Sequence, residues 1–274
     1  MNGDHVGDIR VITFNTAVGN PKIRTSQEAF LQLPFYREII DDAPGAAVLA
    51  LQEVGPEQAE ALTRAAAGGR FALVRIARPG QGNALLIPAR FAVLRKRSRF
   101  FLASQLMALA KALWPALTRR AKLNLRQYLE LRMWSMARVR DGASGGELTV
   151  FNTHLSGEPA LRLAQARALL RRVHRARRAG PVVLAGDLNV RASAAANPVA
   201  NKADAAIREL FEPLQDMAVA ARDSPRPAID WILAAGFRPV AARLYTGEQL
   251  SLPGSPTAEL VSDHYAKEAV LRPS

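Results

Sequence analysis

The chain predicts an α/β fold: two mixed β-sheets packed face to face, with helices on the outside. Three observations point there. Short apolar and β-branched runs alternate with helical stretches in both halves of the chain. Hairpins interrupt that alternation, so neither sheet is expected to be purely parallel. The 274 residues, 49% of them hydrophobic, are enough to bury a substantial core. Polar signatures run almost from end to end, which favours a single domain over residues 1–274.

The elements follow in order. Val11 to Phe14 and Ala47 to Leu51 read as buried strands, ending at Asn15 and at Gln52-Glu53. Between them Ser26 to Ile40 reads as a helix with Ser26 as N-cap, and Pro56 to Ala67 as a second helix stopped by Gly68-Gly69. Phe71 to Val74 and Asn83 to Ile87 are strands separated by the turn residues Arg78 to Gly82. Met133 to Arg140 and Glu147 to Thr153 form a hairpin across the Gly-rich Asp141 to Gly146. Leu161 to Ala179 is a helix closed by Gly180-Pro181. Pro181 to Ala185, Ile229 to Leu233 and Ala266 to Leu271 complete the strands. Ala192 to Pro198 and Asp223 to Pro227 read as loops.

Composition removes several chemistries. Cysteine is absent, so there is no disulfide framework, thiolate zinc site or cysteine nucleophile. The first eight residues lack a basic stretch followed by an apolar one, so a cytoplasmic location is expected. The formal charge of +13 is uneven: residues 91–140 carry a net +11 and residues 161–180 a net +7, leaving −5 elsewhere. A basic surface beside an acidic remainder suits an anionic substrate or polymer. Arginines that merely solvate helix faces are the alternative.

Short polar signatures stand at the ends of the apolar runs. Glu53 follows a strand and precedes a helix, where ligands bind in α/β folds. A helix-start acid favoured by the dipole would look the same. Asp187 and Asn189, two apart, could serve one centre, or could be an Asx-turn. Two of the four histidines, His154 and His264, fall in signatures, and His264 follows Asp263. Carboxylates and amides suit a hard cation, and histidines move protons near neutral pH.

Seven stretches taken together carry a family likeness: Thr13-Phe14-Asn15-Thr16, Leu51-Gln52-Glu53-Val54, Gly82-Asn83-Ala84-Leu85-Leu86, Asn152-Thr153-His154-Leu155, Gly186-Asp187-Leu188-Asn189, Ile229-Asp230-Trp231-Ile232 and Ser262-Asp263-His264. In this order they resemble the endonuclease/exonuclease/phosphatase superfamily, the DNase I-like fold, over nearly the whole chain. The resemblance implies a four-layer sandwich with the site at one end of the two sheets. It implies that Glu53 binds a divalent metal, Mg²⁺ or alternatively Mn²⁺, with Asn15 beside it and Asp263 as a further ligand. Asp187 and Asn189 would align the attacking water and the phosphate, and Asn83 would contact substrate. His264, oriented by Asp230, and His154 would touch phosphoryl oxygens or exchange protons. Either Asp187 or His264 would be the general base. Ala17 stands where the abasic-site repair branch has an acid, and His154 where that branch generally has tyrosine. The DNase I and sphingomyelinase branches are therefore nearer.

The expected activity is a metal-dependent phosphodiesterase of nuclease or phospholipid type. A phosphomonoesterase acting on a soluble inositol phosphate or nucleotide is the alternative, and a non-catalytic binding module a more distant one. A basic helical insertion is expected at about 97–132. Its leucines 102, 106, 109 and 113 recur at helical spacing, and Pro115 should end or bend it. Three roles fit: core packing of a helical hairpin, an amphipathic element resting on an anionic membrane, or a substrate lid or nucleic-acid groove wall. Nucleic acid or an anionic membrane surface is thus the expected macromolecular partner of region 91–140. Peripheral membrane association is the corresponding alternative location. Nothing in the sequence indicates a protein partner.

Overall fold

The computed structural model describes residues 7–17, 33–36, 38–39, 47–76, 82–119, 131–191, 198–218, 229–250, 262 and 264–274. The strands are β1 (Ile9–Asn15), β2 (Ala47–Val54), β3 (Phe71–Ile76), β4 (Gly82–Pro88), β5 (Phe91–Phe100), β6 (Met133–Asp141), β7 (Glu147–His154), β8 (Val182–Asp187), β9 (Gln215–Asp216), β10 (Asp230–Ala235), β11 (Phe237–Tyr245) and β12 (Ala266–Pro273). The helices are a short turn α1 (Pro34–Tyr36), α2 (Pro56–Ala67), α3 (Leu102–Arg119), α4 (Pro159–Arg177) and α5 (Pro198–Phe211).

Two six-stranded mixed sheets result, ordered β11-β12-β1-β2-β4-β3 and β5-β6-β7-β8-β10-β9. Each contains one parallel pair, β1 with β2 and β7 with β8, among antiparallel neighbours. The signatures of Asn15, Glu53, His154 and Asp187 lie at the carboxyl ends of these parallel strands, the usual place for a ligand site in such sheets.

Alternation along the strands sorts the apolar side chains into three cores. Val11, Val48, Ala50, Val150, Ala185, Ile232 and Ala269 fill the space between the sheets. Phe14, Leu49 and Leu51 point outward to pack on Phe35, Tyr36 and Leu62. Phe151, Leu184 and Trp231 point outward from the other sheet, toward Leu169 and Val173 of α4 and Ile207 and Phe211 of α5. The layers are helix, sheet, sheet, helix.

Nine strands and the helices α2 and α4 stand where the sequence places them, within a few residues. The hairpin turn is held by Asp141, whose Oδ1 accepts from the Ala143 N–H and Oδ2 from the Ser144 hydroxyl. Four elements were not anticipated: β5, β9, β11 and α5. β5 carries Arg95, Lys96, Arg97 and Arg99, all exposed, because it is an edge strand whose charged side chains reach water. Residues 97–100 therefore belong to the sheet, and the helix of the expected insertion starts at Leu102. It does not stop at Pro115 but continues to Arg119. Pro198, assigned to a loop, opens α5, with a proline at a helix start as its fixed φ favours. Most of the helix expected over Ser26 to Ile40, and residues Ala192 to Asn197 and Asp223 to Pro227 of the expected loops, lie outside the described residues. No helix among the described residues is long and apolar enough to cross a membrane.

Candidate active site

Three neighbouring strands place inward side chains side by side at one end of the sheet. His154 of β7 is in register with Asp187 of β8, and Asp187 with Asp230 of β10. Gly186 makes the close pairing of β7 and β8 feasible. Its φ is +142°, and a Cβ there would lie 2.0 Å from the Thr153 carbonyl oxygen, so no other residue fits.

Glu53 reaches the same place by a different device. Pairing between β2 and β4 shifts register between Leu51 and Val54, and Glu53 sits in that bulge with φ +53°. The bulge takes its carboxylate out of the strand alternation and aims it at a pocket. Gly82, Asn83, Leu131, Arg132, Met133 and His154 line that pocket with it. Asn189 is also left-handed, with φ +52°, so two of the three non-glycine residues at positive φ among the described residues are site residues.

Asp187 is the hub. Its Oδ2 accepts from the Asn15 amide at 3.0 Å and lies 3.4 Å from His154 Nε2 and 3.9 Å from His264 Nε2. Its Oδ1 accepts the Asn189 N–H at 2.8 Å, so the Asx-turn exists and the same carboxylate still serves the site. His264 Nδ1 is 2.9 Å from Asp230 Oδ2, which fixes the ring orientation. His154 Nδ1 is 3.7 Å from Glu53 Oε1. Burial, and next the charge of Asp230, push the Asp187 carboxyl up to about 7; His264, the Asn15 amide and the Asn189 N–H oppose the rise.

Beneath this layer lies a second polar one that ties the sheets together. Gln52 Nε2 donates to Asn152 Oδ1 at 2.8 Å, and Asn152 Nδ2 donates to the carbonyls of Leu51 and Ala84. Ser262 Oγ donates to the Asn15 carbonyl and accepts the His264 N–H, anchoring the segment that carries His264. A buried lysine, Lys267, donates to the Asp230 carbonyl at 2.9 Å.

The structure thus brings together Asn15, Glu53, His154, Asp187, Asp230 and His264. Asn83 lines the pocket and donates to the Met133 carbonyl. Asn189 spends its amide nitrogen on the Leu155 carbonyl. The Asn15 oxygen accepts the Ala17 N–H and its nitrogen donates to Asp187, so it orients that carboxylate. Asp263 lies outside the described residues. Arg132 and Lys267 were not anticipated. Arg132 Nη1 lies 2.8 and 2.9 Å from the two His154 ring nitrogens and 3.9 Å from Glu53, placing a cation on the pocket wall. Nothing about Arg132 in sequence distinguishes it from its neighbours in a basic region. Lys267 had a signal: a lysine on the strand face that otherwise carries Ala269 and Leu271.

The donor set fits a divalent cation. One oxygen each of Asp187 and Asp230 and one His264 nitrogen lie within 4.8 Å of one another. Asp230 Oδ1 is buried with no hydrogen-bond partner among the described residues. Glu53 forms a second acidic position, more open to the pocket, with its side chain 19% exposed. Hard oxygen donors crowded into a buried pocket are what such a cation offsets.

The model of the endonuclease/exonuclease/phosphatase family matches residues 12–264. The chain belongs to that family. Membership makes it a phosphoester hydrolase in broad class. Solved structures agree in fold over almost the whole chain. An endonuclease/exonuclease/phosphatase from Bacteroides vulgatus is 18% identical with a TM-score of 0.69, covering 97% of this chain and 99% of its own. TDP2 from D. rerio, complexed with a single-strand DNA product, is 17% identical with a TM-score of 0.65, covering 97% and 99%. The human Nocturnin catalytic domain, with a bound sulfate anion, is 16% identical with a TM-score of 0.65, covering 98% and 94%. No curated protein matches the chain in sequence.

Proposed function

We propose that the chain is a divalent-cation-dependent phosphodiesterase, Mg²⁺ being the expected cation. The observation that carries this reading is Asp187 Oδ2, a buried carboxylate oxygen within 4 Å of two imidazoles and bonded to Asn15, beside a pocket that Glu53 faces. Glu53 is the carboxylate that would hold the cation at the pocket, and Asp230, with its unpartnered oxygen, is a second candidate ligand. A bound cation neutralises charge on a phosphoryl oxygen and acidifies water.

The protein's own groups supply the rest. A phosphodiester is an anion that repels hydroxide, so the pocket must present positive charge and a placed base. Arg132 provides a cationic donor on the pocket wall, and His154 and Asn83 polar groups beside it. Asp187 accepts the proton of the attacking water; a carboxyl raised to about 7 is matched to base catalysis near neutral pH. His264, held through Nδ1 by Asp230, keeps Nε2 turned toward Asp187 and donates a hydrogen bond to the phosphoryl group. Two structures of the same fold were solved with anionic ligands, a single-strand DNA product and a sulfate anion, which supports an anionic ligand for this chain.

Hydrolysis of an aryl phosphodiester by the purified chain, with and without a chelator, tests the reading. Turnover that the chelator abolishes and Mg²⁺ restores is expected. Glu53→Gln should raise the cation concentration for half-maximal rate by about tenfold or more. Equal rates with and without the chelator would overturn cation dependence. Turnover of phosphomonoesters alone would move the activity to that class.

A further inference from the structure

Helix α3 is turned the wrong way for a packed helix. Phe101, just before it, and Gln105 face the core, while Leu102, Leu106, Met107 and Leu113 are exposed, Leu106 by 66% and Met107 by 61%. Three of the four leucines at helical spacing therefore line an outward face, where a solvated helix would carry charge.

Beside that face lies a cluster of guanidinium groups. Arg97 and Arg99 on β5 pair across the ladder with Met136 and Trp134, so they share the outer face of the sheet with them. Arg172 of α4 lies over the Trp134 ring at 5.0 Å. Burial, then repulsion from Arg171, Arg97 and Arg175, lowers the pKa of Arg172, which shows how closely like charges are gathered here. α3 packs against α4, so the helix with the exposed leucines and the helix with these arginines are neighbours on one side of the molecule. The nearby acid Glu147 is engaged by Arg138 and Arg140.

We propose that the outward face of α3 and this arginine cluster form a docking surface for an anionic membrane. Leu102, Leu106, Met107 and Leu113 would enter the boundary between head groups and acyl chains, and Arg97, Arg99, Arg171 and Arg175 would meet lipid phosphates. Nucleic acid would satisfy the arginines, but it offers nothing to a row of exposed leucines, and so the membrane is the better match. The helix lies on the surface, since no helix among the described residues can span a bilayer. The Phe101 N–H bonds the Arg132 carbonyl at 3.0 Å, so α3 starts at the wall of the pocket. Docking would thus bring the pocket close to lipid head groups. That consequence rests on the proposed phosphodiesterase reading; the docking itself does not.

The test is co-sedimentation of the full chain with vesicles of phosphatidylcholine alone or mixed with phosphatidylserine. Binding only to the anionic vesicles is expected, weakened by salt. Leu106→Asp with Met107→Asp, and separately Arg97→Glu with Arg171→Glu, should each weaken it at least about tenfold, since each removes a major part of the contact. Turnover of the soluble aryl phosphodiester should stay unchanged in both. Should the aspartates disturb folding, Leu106→Ser with Met107→Ser replaces them. No vesicle binding, equal binding to neutral vesicles, undiminished binding by the variants, or binding to duplex DNA alone would each overturn the proposal. Vesicle binding without ester turnover would sink the phosphodiesterase reading and leave the docking surface standing.

Discussion

The two ends of the inter-sheet space differ more than their strands do. Inward positions Val11, Val150, Ala185, Ile232 and Ala269 are apolar and buried. One step of the alternation nearer the site, the same strands place Thr13, Asn152, Asp187, Asp230 and Lys267, and these are just as buried, none above 5% exposed. Burial is therefore not what separates a core from a site here. The apolar end gains free energy by leaving water, whereas the polar end gives up hydration and recovers it only through bonds such as Gln52 to Asn152 and Lys267 to the Asp230 carbonyl. Asp230 Oδ1 and the raised pKa of Asp187 are places where recovery is incomplete. Incomplete recovery at a cluster of carboxylates and imidazoles is the physical mark of a site.

Substitution at the two ends should separate these roles. The largest effect is expected from His264→Ala: turnover of the aryl phosphodiester should fall about 10²- to 10³-fold with little change in KM, as for loss of a hydrogen-bond donor that acts in the transition state. Steady-state kinetics of folded variant would check it, and a mainly KM effect would reassign His264 to substrate binding. Next is Ile232→Ala at the apolar end. It should cost about 2–4 kcal/mol in denaturant unfolding while leaving turnover per folded molecule near normal. A comparable loss of turnover would mean the two ends are coupled.

The smallest effect concerns pH. The folded state holds the Asp187 proton up to about 7, against an ordinary value of 3.8, so it binds that proton more tightly than the unfolded chain does. Stability from this group is present below about pH 4 and is lost as pH rises through about 7. In chelator, Asp187→Asn should therefore stabilise the protein relative to the parent, by about 1–3 kcal/mol at pH 8 and by much less at pH 5. Thermal unfolding at the two pH values measures this. An advantage that does not grow with pH would show that Asp187 ionises without strain.

Legibility followed burial and locality. The nine anticipated strands carry apolar residues from both faces into the cores, even where β6 and β12 also hold charged ones, so hydrophobicity reports them directly. β5 and β11 escaped because they are edge strands whose exposed residues include Arg97, Arg99 and Arg238, and periodicity fades where one face is wet. α3 shows the opposite failure. Its leucine spacing correctly indicates a helix, but spacing cannot say whether the apolar stripe faces a core or solvent. Among site residues, Glu53, His154, Asp187, Asp230 and His264 were visible because each ends or adjoins an apolar run. Arg132 was invisible, because its role depends on β6 lying beside β7.

The sequence by itself determined nine of the strands, the family and the polar residues at the ends of those strands, because hydrophobic alternation and residue chemistry are local properties of the chain. Only the tertiary structure decided that Asn15 would hold Asp187 from the opposite sheet, that a bulge would aim Glu53, and that the leucines of α3 would face outward. Each of these is a relation between segments far apart in sequence, set by how the two sheets register and by which surfaces remain after packing.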